Sequence, residues 1–332
     1  MSTAKRTNDV TQVLHLTQPY ISPSTTPSGS ARRISRRWRF TLTEGLSRLL
    51  AGLVLATAVF YVVGFTAWTT WISFTDSTLL PDYTFVGFKH YARLLGSRVF
   101  QVAYGNLVIY GVGFIVGAAA IGLLLAVLID LKIRAENALR TIYLYPMALS
   151  FVVTGTVWAW LLNPDIGIEN FVRGLGWVNF RFDWLIDTDF AIYAVVIAAV
   201  WQASGFAMAL LLAGLRSLDG DIYKAAQIDG ASPARMYLKI MVPAIWPIVV
   251  SVLVILLQIA IKTYDLVRAL TAGGPGIATT LPTNVVYDYM FQRGEMGAGA
   301  AAAVMLLLSL LLVILPYALF QRFQKRKQYR HD

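Results

Sequence analysis

Residues 223–243 read Tyr-Lys-Ala-Ala-Gln-Ile-Asp-Gly-Ala-Ser-Pro-Ala-Arg-Met-Tyr-Leu-Lys-Ile-Met-Val-Pro and sit in a short polar interval between two long apolar runs. The punctuation predicts helix, turn, helix across the loop 214–242. Asp219 and Asp221 open the first helical stretch, where acidic groups oppose the helix dipole favourably. Gly230 suits the left-handed cap that ends it. Ser232 offers an N-cap and Pro233 the first position of a second stretch. Pro243 and Pro247 then mark the return to apolar sequence.

Working outward from this loop, six apolar runs approach or exceed the roughly 20 residues that cross a bilayer as a helix. They lie near 49–72, 104–129, 142–162, 190–213, 243–262 and 297–320. Hydrophobic residues make up 57% of the chain and charged residues 14%, against about 25% charged in a soluble domain. In hydrocarbon each backbone amide must be bonded within its own segment, so the runs are expected to be helices. The fold class read here is an all-α membrane protein: six transmembrane helices over 49–320, with a helical loop between the fourth and fifth. Small residues in the runs suit close helix approach: Gly113 and Gly117 form a G-x-x-x-G pair, and Gly297, Gly299 and alanines 300–303 open the sixth run.

Orientation follows from the basic residues in the loops. Segments 1–48, 130–141, 214–242 and the tail 321–332 hold 20 of the 28 Lys and Arg, while 73–103, 163–189 and 263–296 hold 7. Both termini and the 214–242 loop are therefore expected to be cytoplasmic. The net charge of +10 is spread along these flanks, which argues against nucleic acid as partner. Residues 1–31, rich in Ser, Thr and Pro, read as a disordered tail. The collar Arg32, Arg33, Arg36, Arg37 and Arg39 follows, so that 1–48 is expected to be a disordered basic cytoplasmic tail and 321–332 a second basic tail. The first apolar run starts too late and is too long for a cleaved signal peptide. Cysteine is absent, which removes disulfides and cysteine-based metal centres. No G-x-x-x-x-G-K-[ST] phosphate loop occurs, so the chain is not its own ATPase.

The order Ala225-Ala226, Gly230, a nine-residue spacer, then Ile240-x-x-Pro243 resembles the cytoplasmic coupling loop of bacterial ATP-driven (ABC) importers. Further likenesses are Val86-Gly87-Phe88-Lys89-His90-Tyr91, Tyr145-Pro146, Asn163-Pro164-Asp165-Ile166-Gly167 and Thr271-Ala272-Gly273-Gly274-Pro275-Gly276. Together they cover about 60–320, and the chain resembles the maltose-type, binding-protein-dependent carbohydrate importers. The resemblance implies a non-catalytic permease in the bacterial cytoplasmic (inner) membrane, with no cofactor of its own. It implies a second permease subunit, two ATPase subunits, an extracytoplasmic solute-binding protein and a sugar substrate. It also implies ATPase coupling through Lys224, Ala225, Ala226, Asp229, Gly230, Ala231, Ile240 and Pro243. Lys224 stands where the family usually has glutamate, and Val242 where it has leucine.

Polar groups inside spans usually face the bundle interior. Gln202, Gln258 and Trp158 are candidates for a solute path, because sugars are held by hydrogen bonds and by stacking on aromatic rings. Interhelical hydrogen bonding for the two amides is an equal alternative, and an interfacial aromatic belt is the alternative for the tryptophans, better for Trp160. Lys262, Tyr264, Asp265 and Arg268 read as helix-end anchors. Asp165, Glu169, Asp183, Asp187 and Asp189 read as a solvated outer face. His15, His90 and His331 form no metal or catalytic set. An ion-coupled secondary carrier would show repeated halves and buried ionisable groups. A membrane-embedded sugar-transferring enzyme would show clustered acids, bases or metal ligands. The sequence gives neither pattern.

Overall fold

The computed structural model describes residues 31–80, 82–131 and 135–328. In order the helices are α1 (Ala31–Ile72), α2 (Lys89–Gly96), α3 (Arg98–Asp130), α4 (Glu136–Ala148), α5 (Phe151–Leu161), α6 (Ile168–Gly174) and α7 (Ala191–Arg216). Then come α8 (Gly220–Ile228), α9 (Pro233–Met236), α10 (Val242–Ala244), α11 (Trp246–Lys262), α12 (Asp265–Leu270), α13 (Pro282–Tyr287) and α14 (Met296–Gln328). Wider turns of the i→i+5 kind join α9 to α10 over Tyr237–Met241 and follow α13 over Asp288–Gln292. Among the described residues the only β pairing is a single bridge, Thr75 with Phe85.

Among the described residues, four apolar helical segments are long enough to cross a membrane: Gly45–Ile72, Arg98–Asp130, Ala191–Arg216 and Met296–Pro316. The third and fifth expected spans are not single helices. α4 and α5 meet at 100°, and the stretch Pro233–Ala244 meets α11 at 77°. The first break has a clear cause. Pro146 lies near the end of α4, Leu149 is extended, and Ser150 restarts the helix by accepting from the Val153 amide at 3.3 Å. At the second break Ile245 leaves helical geometry, and Pro247 sits in the first turn of α11, a position where its missing N–H costs nothing.

The tail expected over 1–31 lies, except for Ala31, outside the described residues. Residues 32–48, counted with that tail, instead form the opening turns of α1. No proline interrupts them, and the run Arg32–Phe40 has no glycine. The second tail is likewise helical to Gln328. Two compact units divide the chain, residues 1–63 and 64–332. In the first, the apolar side chains Leu46, Leu49, Leu53, Val59 and Phe60 are exposed, which suits an apolar solvent and not water.

Within 64–332, α3 and α7 form the central pair. Their contact uses the expected small residues. A Cβ on Gly113 would meet Val196 Cγ1 at 3.1 Å and one on Gly117 Val200 Cγ2 at 2.8 Å; Gly122, not singled out in the sequence, is closer still, at 2.6 Å from Ala207 Cβ. The core gathers Tyr110, Phe114, Met208, Leu211, Leu256 and Leu266 from α3, α7, α11 and α12. A smaller cluster joins α2, α3, α13 and α14, with Ala298, Ala301 and Ala302 supplying the small face of the last helix.

Candidate functional site

The loop after α7 has the predicted punctuation. Asp219 caps α8 by accepting from the Asp221 amide at 3.1 Å. Gly230 has φ +69°. Its amide donates to Gln227 O at 3.0 Å, and the Ala231 amide donates to Ala226 O at 3.1 Å. That is the paired hydrogen bonding of a Schellman cap, and it needs a left-handed residue at its centre. Ser232 Oγ accepts from the Arg235 amide at 3.4 Å, with Pro233 first in α9.

The loop has two faces. Ala226, Met236, Tyr237 and Met241 are buried in the main core. Lys224, Ala225, Asp229, Gly230 and Pro243 are exposed, and Ala231 is half-buried. Ile228 is 85% exposed, and Leu238 and Ile240 are also open. The two alanines thus divide their work: Ala226 seats the helix on the bundle, and Ala225 leaves its outer surface low. Lys224, in the glutamate position, pairs with Asp221 at 2.9 Å on the exposed side.

A polar network beside this loop joins residues far apart in sequence. Tyr237, inside the loop, donates its hydroxyl to Asp130 Oδ2 at 2.8 Å. Asp130 ends α3, and its Oδ1 accepts from Arg216 Nε at 3.4 Å. Arg216 ends α7 and donates to Glu136 Oε1 at 2.6 Å. Arg140, one turn along α4, adds a contact to Glu136 at 3.6 Å. Burial first, and the bond to Asp130 second, push the Tyr237 hydroxyl above its usual range. None of these five residues stood out in the sequence, because each is an ordinary charged or aromatic residue at a helix end.

The three path candidates are not brought together. Gln202 is 2% exposed and donates from Nε2 to Leu149 O at 2.8 Å. It satisfies the carbonyl freed at the α4–α5 break, which is the interhelical reading of this amide; its Oε1 has no partner. Gln258 lies exposed on α11. Trp158 is half-buried and packs edge-on against Trp201, with ring centres 5.9 Å apart. Both rings border a cavity of about 730 Å³ together with Tyr143, Tyr145, Pro146 and Ser204. Trp160 is exposed at the end of α5.

Sequence reasoning passed over Asn106, although it was a polar residue inside an apolar run. It is buried in α3 and donates to Ala278 O at 2.9 Å and Thr280 O at 3.0 Å. It thereby holds the stretch that directly follows the Thr271–Gly276 turn, where Ala272, Gly273 and Gly276 have positive φ. The outer acidic group is not uniformly solvated. Glu169 is buried, pairs with Arg173 and accepts from the Phe182 amide at 2.9 Å. Arg268 behaves as an anchor, stacking 5.9 Å from the Tyr287 ring centre and donating to Ala272 O at 3.4 Å.

A model of the family described as binding-protein-dependent transport system inner membrane component matches residues 91–329. A xylose/arabinose import permease of Haloferax volcanii is 39% identical over 263 residues, 78% of this chain and 83% of that protein. A trehalose/maltose transport system permease of Thermococcus litoralis is 32% identical over 279 residues, 83% and 92% of the two chains. A crystal structure of a bacterial alginate ABC transporter, in complex with an alginate pentasaccharide-bound periplasmic protein, contains a chain with the same fold. The TM-score is 0.68 at 22% identity, over 87% of this chain and 95% of that one.

Proposed function

The chain belongs to the family of binding-protein-dependent transport system inner membrane components, and from that membership we propose the permease subunit of an ATP-driven sugar importer. It forms half of a translocation pathway with a second permease subunit. Two ATPase subunits supply the work, and an extracytoplasmic binding protein delivers the solute. The relatives named for pentose and disaccharide import motivate a neutral saccharide as cargo. Each bent pair contributes one span in this reading, the second through α11 alone while Pro233–Ala244 stays with the α8–α9 loop, giving six among the described residues, with both termini and that loop in the cytoplasm as the Lys and Arg distribution requires.

The observation that carries the proposal is the two-faced loop. One face is anchored in the core through Ala226, Met236, Tyr237 and Met241. The other presents Ile228, 85% exposed, and Leu238, 65% exposed, outside any long apolar helix. Apolar side chains displayed on a capped, rigid turn in water mark a protein contact. The ATPase is the partner assigned to it, docked through Lys224, Ala225, Asp229, Gly230, Ala231, Ile240 and Pro243, with Ala226 supporting from beneath. For the path, the exposed amide of Gln258 and the Trp158–Trp201 cavity are the assigned contacts. Gln202 is assigned to holding the α4–α5 break.

The test is purification of the tagged chain from its native membrane. Recovery of an ATP-hydrolysing subunit and a second permease, with ATP-dependent sugar uptake after reconstitution, is the expected result. A chain that purifies alone and moves solute down an ion gradient refutes it.

A further inference from the structure

Resting on the reading of the α8–α9 loop as the ATPase dock, we propose that Tyr237, Asp130, Arg216 and Glu136 form a side-chain linkage carrying the motion of the loop to the ends of α3, α4 and α7. These are positioning residues: Tyr237 is 3% exposed and faces the core, away from the docking surface. Through the backbone, the loop is joined only to α7 on one side and to α11 on the other. The linkage adds a direct route to α3 through Asp130 and, by way of Arg216, to α4.

The placement of Asp130 is not explained by the stability of its own helix. A carboxylate at the C-terminal end of α3 lies at the negative end of the dipole. Arg216 at the C-terminus of α7 and Glu136 in the first turn of α4 lie at favourable ends. Asp130 is tolerated because the Arg216 guanidinium and the Tyr237 hydroxyl both face it, so the three depend on one another. The contacts are also exchangeable. The side chains of Asp130, Glu136 and Arg216 keep 16%, 24% and 38% of their exposure, so water can replace a broken bond at small cost. A linkage of this kind has two available arrangements, bonded and hydrated, as an element that transmits a displacement requires. It sits where α7 packs on α3 and α4, so a shift at Tyr237 reaches the helices that border the Trp158–Trp201 cavity.

The experiment uses the complete transporter in proteoliposomes and reads sugar molecules moved per ATP hydrolysed. Tyr237→Phe keeps the buried ring and removes only the hydroxyl. Arg216→Gln removes the central charge, and Arg216→Lys restores charge without the fork. The expected result is full recovery of the ATPase with Tyr237→Phe, continued ATP hydrolysis, and a transport-to-ATP ratio lowered about 5- to 10-fold, as for loss of one ordinary, partly solvated hydrogen bond. Arg216→Gln lowers the ratio at least as far, and Arg216→Lys recovers part of it. An unchanged ratio in both Tyr237→Phe and Arg216→Gln overturns the proposal, leaving a local staple. Loss of the ATPase from the Tyr237→Phe complex also overturns it, because the network then shapes the dock itself. Absence of any ATPase from the wild-type preparation overturns the importer reading, and the linkage with it.

Discussion

Replacing Gly230 tests whether the shape of the loop, and not its mere presence, drives transport. Gly230 sits at φ +69°, and a Cβ built there meets no atom within 4 Å. A side chain therefore costs nothing by collision with neighbours, and the whole penalty lies in the backbone. A residue carrying a Cβ in the left-handed region loses about 1–2 kcal/mol, a factor of roughly 5–30 in a two-state ratio. Asn tolerates the region best among such residues, and a β-branched residue tolerates it worst. If the backbone escapes the strain, the Gly230-to-Gln227 and Ala231-to-Ala226 bonds break and the exposed edge of α8 swings away from its seat. Uptake in sealed cells, divided by the amount of protein in the membrane, is expected to fall in the order Asn, Ala, Val, with Gly230→Val nearly inactive. Membrane abundance should stay constant, since the residue is exposed and outside the helix bundle. Wild-type uptake by Gly230→Val refutes the reasoning. So does a drop in abundance that matches the drop in uptake, because the glycine is then needed for folding and not for coupling.

The absence of natural cysteine allows single-cysteine mapping. Cysteines at the exposed positions Thr78 and Asn179 are expected to react with an impermeant thiol reagent outside the cell, and those at Ser217 and Gln227 to stay unlabelled. The reverse pattern inverts the topology. Gln258→Leu is expected to lower sugar uptake several-fold while binding-protein-stimulated ATP hydrolysis persists, whereas Gln202→Leu lowers both, since it abandons Leu149 O at a net cost of about 0.5–1.5 kcal/mol or more. Parallel behaviour of the two variants contradicts the separate roles assigned to them. Glu169→Ala leaves Arg173 and the Phe182 amide without their shared acceptor, so limited proteolysis is expected to cut the 163–189 loop faster; an unchanged cleavage rate argues against that tie.

Local chemistry was the most legible part of the chain. The acidic helix start at Asp219 and Asp221, the Gly230 turn and the Ser232-Pro233 start each depend on one or two neighbouring residues, and each appears in the structure where its residue type demands. The G-x-x-x-G pair was equally readable, because close approach needs small side chains whatever the partner. The bends at Leu149 and Ile245 were not. An apolar run reports that a segment is dehydrated, not that it is straight, and Pro146 alone does not say whether a helix kinks or stops. The Tyr237–Asp130–Arg216–Glu136 linkage was out of reach for another reason. Its members meet only after three helices end at the same level.

The two glutamines show what kind of information was missing. On α11 the buried residues are Val252, Leu256 and Ala260, one stripe at a spacing of four. Gln258 is two residues from both Leu256 and Ala260, roughly 200° around the helix from each, so it faces away from the core. On α7 the buried residues run Val200, Gln202, Ala203, Ser204, Gly205, Ala207 and Met208, which is nearly every direction. Gln202 has no outward side to occupy and must find its partner inside. Both glutamines look alike in sequence, because each is an amide flanked by apolar residues and neither run has a polar face to set its phase. In water an amphipathic pattern supplies that phase. In hydrocarbon the outer face is as apolar as the inner one, so the rotation of each helix is fixed only by packing. The polar residue then reveals that it needs a partner without revealing on which side the partner stands.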